Sequence, residues 1–356
     1  MINSRDAKVK QSYDAEDNDM DIATKTTRKD FMSDQEVRWC PGCGDYSILA
    51  AMQLLLPEIG VERHNIVFIS GIGCAARFPY YMNTYGMHSI HGRAPAIATG
   101  LAATRPDLDV WVIGGDGDML SIGANHLLHA LRRNINLVIV MFNNQIYGLT
   151  KGQYSPTSEL GKITKSSPFG SADQPFNPIS LAIGAEATFV ARTHDMDRSH
   201  MQAILKSAHD HQGASFVEIY QNCNVFNDGA FEAITGKENR EDNLLYLRDQ
   251  EPIVFGKDDK YGIALNTQGG FDVIDTTNNG TERVLVHNAK QKDASMAFAL
   301  SRLGVNDGEP RPMGIFRDIA REEYGSFIET QRQTAIAKYG SGDLDKLFRS
   351  QPTWHV

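Results

Sequence analysis

Asp109-Val110-Trp111-Val112-Ile113-Gly114-Gly115-Asp116-Gly117-Asp118 is an apolar run that passes directly into glycines and two carboxylates. A run this short and this apolar reads as a strand buried on both faces. The next such run, Asn136 to Phe142, ends in Asn143-Asn144. Working outward, Asn65–Ser70 reads as a strand ending in Gly71-Ile72-Gly73-Cys74, and Ser215–Tyr220 as a fourth strand. Between them lie helical patterns at Asp45–Leu56 (closed by Pro57), Ala94–Thr104, Ser121–Arg133, Ser180–Ala185 and His200–Asp210. Strands alternating with helices predict an α/β fold, a mostly parallel sheet covered by helices on both faces. In such sheets ligands bind beyond the carboxyl ends of the strands. Gly71–Cys74, Gly114–Asp118, Asn143–Gly148 and Gln221–Asn224 should therefore meet at one edge.

Around this core, residues 1–30 form a polar arm without periodicity, and 31–236 carry the motifs. Residues 237–356 hold one expected strand, Glu282–His287, and helices near 293–303 and 328–339, without a cysteine. They are expected to be a docking extension for another subunit. The net charge of -9 offers no basic block for nucleic acid. No apolar run approaches the roughly 18 residues of a membrane span, and the N-terminus has no signal-like apolar stretch. The expected location is the cytoplasm.

Asp116 and Asn144 stand 28 residues apart, each at the end of an expected strand. A diphosphate held by Mg²⁺ needs hard oxygen ligands, few of them from protein. Asp116 offers a carboxylate, Asn144 an amide oxygen, and Ile146 a backbone carbonyl. Gly115 and Gly117 allow the backbone close to phosphate, with the start of the Ser121 helix nearby. The competing reading is a turn plus an unrelated asparagine pair.

The chain has four cysteines. Cys40-Pro41-Gly42-Cys43 has the spacing of a metal or redox site, while Cys74 and Cys223 follow strands. Disulfides are unneeded in a cytoplasmic chain of this length. A structural zinc and a [4Fe–4S] cluster both remain open on the residues alone.

The Gly115-Asp116-Gly117 to Asn143-Asn144 arrangement is similar to the thiamine-diphosphate signature. The longer set, from Trp39–Asp45 through Gly71–Cys74 and His91-Gly92-Arg93-Ala94 to Asn144–Thr150, resembles the β subunits of 2-oxoacid:ferredoxin oxidoreductases. Gly148–Thr157 looks most like their 2-oxoglutarate-using branch. The resemblance implies a thiamine-diphosphate-binding fold with Mg²⁺ on Asp116, Asn144 and Ile146. It places Gly73, His91, Asp118, Tyr147, Gly148, Leu149 and Thr150 beside the cofactor. It also implies a [4Fe–4S] cluster on Cys40, Cys43, Cys74 and Cys223, to take electrons singly after decarboxylation. Arg77, His91 and Lys151 are the catalytic candidates, against ordinary roles as a surface ion pair, a packed histidine and a solvated lysine. Asp118 could instead cap the Ser121 helix.

The implied reaction uses a 2-oxoacid and coenzyme A, and passes electrons to ferredoxin. Nothing in the chain resembles the domain that supplies the activating glutamate. A larger α subunit fused to the γ part, in an α2β2 assembly, is therefore expected. The rival readings are pyruvate as substrate, a cluster-free thiamine-dependent lyase, and a non-catalytic zinc-stabilised subunit.

Overall fold

The computed structural model describes residues 26–279, 281–304 and 309–352. Its main sheet contains β1 (Ile66–Ser70), β2 (Tyr85–His88), β3 (Asp109–Gly115), β4 (Leu137–Asn143), β5 (Phe189–His194), β6 (Ala214–Tyr220) and β7 (Leu244–Leu247). A small antiparallel sheet follows, built from β8 (Val254–Phe255), β9 (Tyr261–Leu265) and β10 (Phe271–Asp275). β11 (Arg311–Asp318) then returns to the main sheet, whose order is β2-β1-β3-β4-β6-β5-β11-β7. The first six strands in that order run parallel, and β11 is antiparallel to β5.

Alternation along the strands divides the core into two layers. Val110 and Val112 of β3 and Ile139 and Met141 of β4 face α2 (Ala94–Thr104, after α1, Asp45–Ile59). Behind the same layer lie α3 (Asp116–Leu120), α4 (Ala124–Arg133) and α5 (Pro178–Gly184). Trp111, Ile113, Val138 and Val140 point the other way, onto α1 and α6 (Arg198–Asp210). Helices on both faces explain why the central strands are apolar throughout rather than alternating with polar residues.

Several expectations change. The helix expected from Ser121 starts at Ala124 (α4), and a separate short helix, α3, precedes it from Asp116 itself. Pro57 sits inside α1, which continues to Ile59 and ends at Gly60 in the left-handed region (φ 75°). The strand expected at Glu282–His287 is not formed; Val286 makes only an isolated bridge to Pro252. β5, β7 and β11 were not anticipated. Because β7 and β11 belong to the main sheet, a boundary at 236 cuts through one body rather than between two. The polar arm lies largely outside the described residues; Phe31, directly after it, is fully buried.

His194, at the end of β5, is 3% exposed, and burial pushes its pKa down to about 4. A histidine kept neutral in the fold stabilises it fully above its unfolded pKa of ~6.5, and that stability fades as pH falls toward the folded value. Lowering pH from 7.5 to 5 should cost about 2 kcal/mol from this group alone. Urea denaturation of the metal-free chain at both pH values, beside His194→Gln, measures it. The variant should lose that share of the acid sensitivity.

Candidate active site at the carboxyl edge of the sheet

The carboxyl ends of β1, β3 and β4 open into a cavity of about 460 Å³. Asp116, the first residue after β3, is 1% exposed. Its Oδ2 accepts hydrogen bonds from Ser155 Oγ and Thr157 Oγ1, both at 2.5 Å. Burial nevertheless pushes its pKa up to about 6. A carboxylate this far from water favours a compensating cation, which matches the donor chemistry Mg²⁺ requires. Asn144 Oδ1 accepts from Ile146 N at 3.2 Å, while its nitrogen points away to Gln221.

Asp118 Oδ1 takes His91 Nδ1 at 2.5 Å, Gly92 N at 2.8 Å and Ile72 N at 3.1 Å. It therefore fastens the loop after β1 to the start of α2, and it does not cap a Ser121 helix. Among the described residues, its Oδ2 is buried without a partner. The fastening leaves no space at Gly71, where a Cβ would stand 1.9 Å from Asp118 Oδ2. Gly117 is equally constrained. Tyr147 Oη donates to its carbonyl at 2.8 Å, and a Cβ there would meet the Tyr147 ring at 2.3 Å.

All the residues expected beside the cofactor line this cavity: Gly73, His91, Gly115 to Asp118, Asn144 and Ile146 to Thr150. Arg77 and Lys151 do not. They line a second cavity of about 180 Å³, together with Cys40, Cys43, Cys74 and Cys223. The cysteines are free. Asn224 ties two of their loops by donating to Pro41 O at 2.7 Å. Burial is the main cause that pushes the Cys74 thiol up to about 12 and raises Cys43 further. Such thiols ionise when a metal takes the charge.

Cys74 and Cys223 both approach Gly148. A Cβ on Gly148 would lie 3.5 Å from Cys223 Sγ and 3.6 Å from Cys74 Sγ. Among the described residues, no three His, Cys, Asp or Glu side chains gather on one ion. A tetrahedral zinc draws four sulfurs to ~2.3 Å from one point. Four free thiols around one small cavity are a donor set that either a structural zinc or a [4Fe–4S] cluster could take. Cys74, Asn144, Gly148 and Leu149 line both cavities, so the two share a wall.

Sequence reasoning missed Ser155, Thr157 and Gln221. The two hydroxyls stand in the Gly148–Thr157 run, but nothing in its spacing marks them as partners of Asp116.

The thiamine pyrophosphate enzyme family, C-terminal TPP-binding domain, matches residues 71–219. The 2-oxoglutarate oxidoreductase subunit KorB of Mycobacterium tuberculosis is 56% identical over 330 residues, covering 92% of this chain and 88% of that protein. The chain belongs to the 2-oxoacid:ferredoxin oxidoreductase β subunits. A 2-oxoacid:ferredoxin oxidoreductase β subunit from Sulfolobus is 44% identical over 221 residues, covering 61% of this chain and 71% of its own length. The solved 2-oxoglutarate:ferredoxin oxidoreductase from Magnetococcus marinus, with 2-oxoglutarate, coenzyme A and succinyl-CoA bound, superposes with a TM-score of 0.73 at 30% identity. That superposition covers 92% of this chain and 97% of the other. As in that family, the chain is one subunit of an oxidoreductase with a thiamine-diphosphate-binding fold. Among the described residues, no helix is long and apolar enough to cross a membrane.

Gly71→Ala in this β subunit should lower stability by about 1–3 kcal/mol, because the methyl group must displace Asp118. Gly100→Ala, with nothing within 4 Å of its would-be Cβ, serves as the control. Thermal denaturation of both variants should show a lower midpoint for the first only.

Proposed function

We propose that this β subunit, together with a larger α subunit, oxidatively decarboxylates 2-oxoglutarate with coenzyme A, giving succinyl-CoA and CO2 and passing electrons to ferredoxin. The observation that carries the reading is the shared wall. The cavity bearing Asp116 and Asn144 and the cavity bearing four cysteines meet at Cys74, Asn144, Gly148 and Leu149. Thiamine diphosphate supplies the carbon that adds to the oxoacid, and a [4Fe–4S] cluster supplies a one-electron acceptor. A lyase would have no use for the second cavity, and a zinc-stabilised binding subunit none for the first.

Within that scheme, this chain's residues bind and orient. Asp116, Asn144 and the Ile146 carbonyl would hold Mg²⁺ on the diphosphate, with Ser155 and Thr157 fixing the Asp116 carboxylate. Gly117 and Tyr147 shape the floor. Cys40, Cys43, Cys74 and Cys223 would hold the cluster. His91, fixed at Nδ1 by Asp118, offers Nε2 as a proton-handling group in the cofactor cavity. Arg77 and Lys151 put positive charge beside the shared wall, where the second carboxylate of 2-oxoglutarate, absent from pyruvate, would interact. The relatives' substrate supports this choice.

The glutamate that activates the cofactor, and most of the coenzyme A site, would come from the α subunit, in an α2β2 assembly in the cytoplasm. The helix Tyr324–Tyr339 has no buried residue, and Phe327 and Ile328 are exposed on it. That supports a docking role for the C-terminal part of the chain.

The experiment is anaerobic co-purification with the α subunit, followed by iron, sulfide and thiamine analysis and assays with both oxoacids. About four iron and four sulfide per β chain are expected, with turnover favouring 2-oxoglutarate over pyruvate. Zinc in place of iron, or equal use of pyruvate, would sink the corresponding part of the proposal. Asp116→Ala should abolish retention of thiamine diphosphate. Arg77→Ala and Lys151→Ala should keep the cofactor and raise the KM for 2-oxoglutarate, about tenfold if each removes one charge-assisted contact.

A further inference from the structure

Gln221, directly after β6, is fully buried and bonds both to Asn144, which lines the two cavities, and to Cys43, which lines the second. Its Oε1 accepts from Asn144 Nδ2 at 2.8 Å. Its Nε2 lies 2.5 Å from Asn222 O and 3.3 Å from Cys43 Sγ. This orientation is forced. The Asn222 carbonyl can only accept, so the Gln221 nitrogen must face it, and the Gln221 oxygen must face Asn144. Asn144 then has to present its nitrogen to Gln221, which leaves Oδ1 on the opposite side, where Ile146 N lies at 3.2 Å. An amide oxygen can bind a hard cation, whereas an amide nitrogen cannot. At its other end, an N–H directed at a cysteine sulfur is worth more when the metal group beyond that sulfur carries an additional electron.

We infer that Gln221 is a positioning residue serving both cofactors: it selects the orientation of Asn144 that offers oxygen to Mg²⁺, and through Cys43 it raises the reduction potential of the cluster. The inference rests on the reading given under Proposed function, and it adds a residue through which the two sites are linked. Gln221 touches neither substrate nor reacting atoms.

Two variants of the complete complex separate the roles. Gln221→Met removes both the acceptor and the donor at similar volume. Gln221→Glu keeps an oxygen for Asn144 but removes the N–H. Cluster potentials are read by EPR-monitored redox titration, and Mg²⁺ affinity by calorimetry in the presence of thiamine diphosphate.

Gln221→Met should move the oxidised-to-reduced equilibrium about tenfold toward oxidised, which for a one-electron couple is about 59 mV. It should also weaken Mg²⁺ binding about tenfold, the usual cost of losing a residue that orients a ligand. Gln221→Glu should restore Mg²⁺ affinity while leaving the potential low. A merely structural role would not split the two readouts in this way. If iron and sulfide match the wild type but both variants keep its potential, the inference is wrong and the proposed function stands. The same holds if Gln221→Met binds Mg²⁺ as the wild type does. A wild-type complex without iron would overturn both.

Discussion

Arg192 and Glu218 form an ion pair with almost no access to water, 1% and 0% exposed, with Nε and Oε2 2.6 Å apart. Removing two charges from solvent is costly, and the cost is recovered only when every remaining lone pair and proton finds a partner. Here the partners come from four strands. The Arg192 guanidinium on β5 reaches Pro312 O on β11 at 3.3 Å and lies over the rings of Tyr220 and Phe316. Glu218 on β6 accepts Asn143 Nδ2 of β4 at 2.7 Å. A carboxylate can only accept, so Asn143 must turn its oxygen the other way, where Thr157 Oγ1 lies at 2.9 Å. Thr157 in turn touches Asp116. A chain of contacts thus runs from charge buried in the middle of the sheet to the Asp116 carboxylate, three side chains away.

The same logic of forced orientation recurs one residue along. Asn143 is oriented by an acceptor beneath it, and Asn144 by an acceptor beside it. Two consecutive asparagines therefore turn their oxygens to different partners, one toward Thr157 beside Asp116, the other toward Ile146 N. Each amide is held by a neighbour that cannot exchange roles with it.

What could be read from the chain followed from how ordinary each element is. β1, β3, β4 and β6 are apolar runs between helices, and they were legible together with the loops that follow them. β5 was not, because Arg192, Thr193 and His194 are polar residues buried within it; their partners lie on other strands, out of reach of any local pattern. β11 begins with Arg311-Pro312 and carries Gly314 at φ 109° and the buried Arg317, all signals that argue against a strand. Glu282–His287 failed for the opposite reason. It has strand-like residues, but only Val286 forms a bridge. At the site, Asp116, Asn144, Cys74 and Cys223 stood out by residue type and position after strands, and Cys40 and Cys43 by their spacing. Ser155, Thr157 and Gln221 are common polar residues whose importance comes from what they touch.

The missing Cβ atoms have a consequence for how this subunit can change over generations. The cavity floor is made where side chains have been left out, at Gly71 and Gly117, and even one added carbon there collides with Asp118 or Tyr147. The rim is different: Leu149 is half exposed, and Lys151 sits at φ 75°, a backbone shape that glycine would adopt with less strain. The floor therefore has far less room for substitution than the exposed Leu149. A change in the shape of this cavity enters more readily at Leu149 than at Gly71 or Gly117.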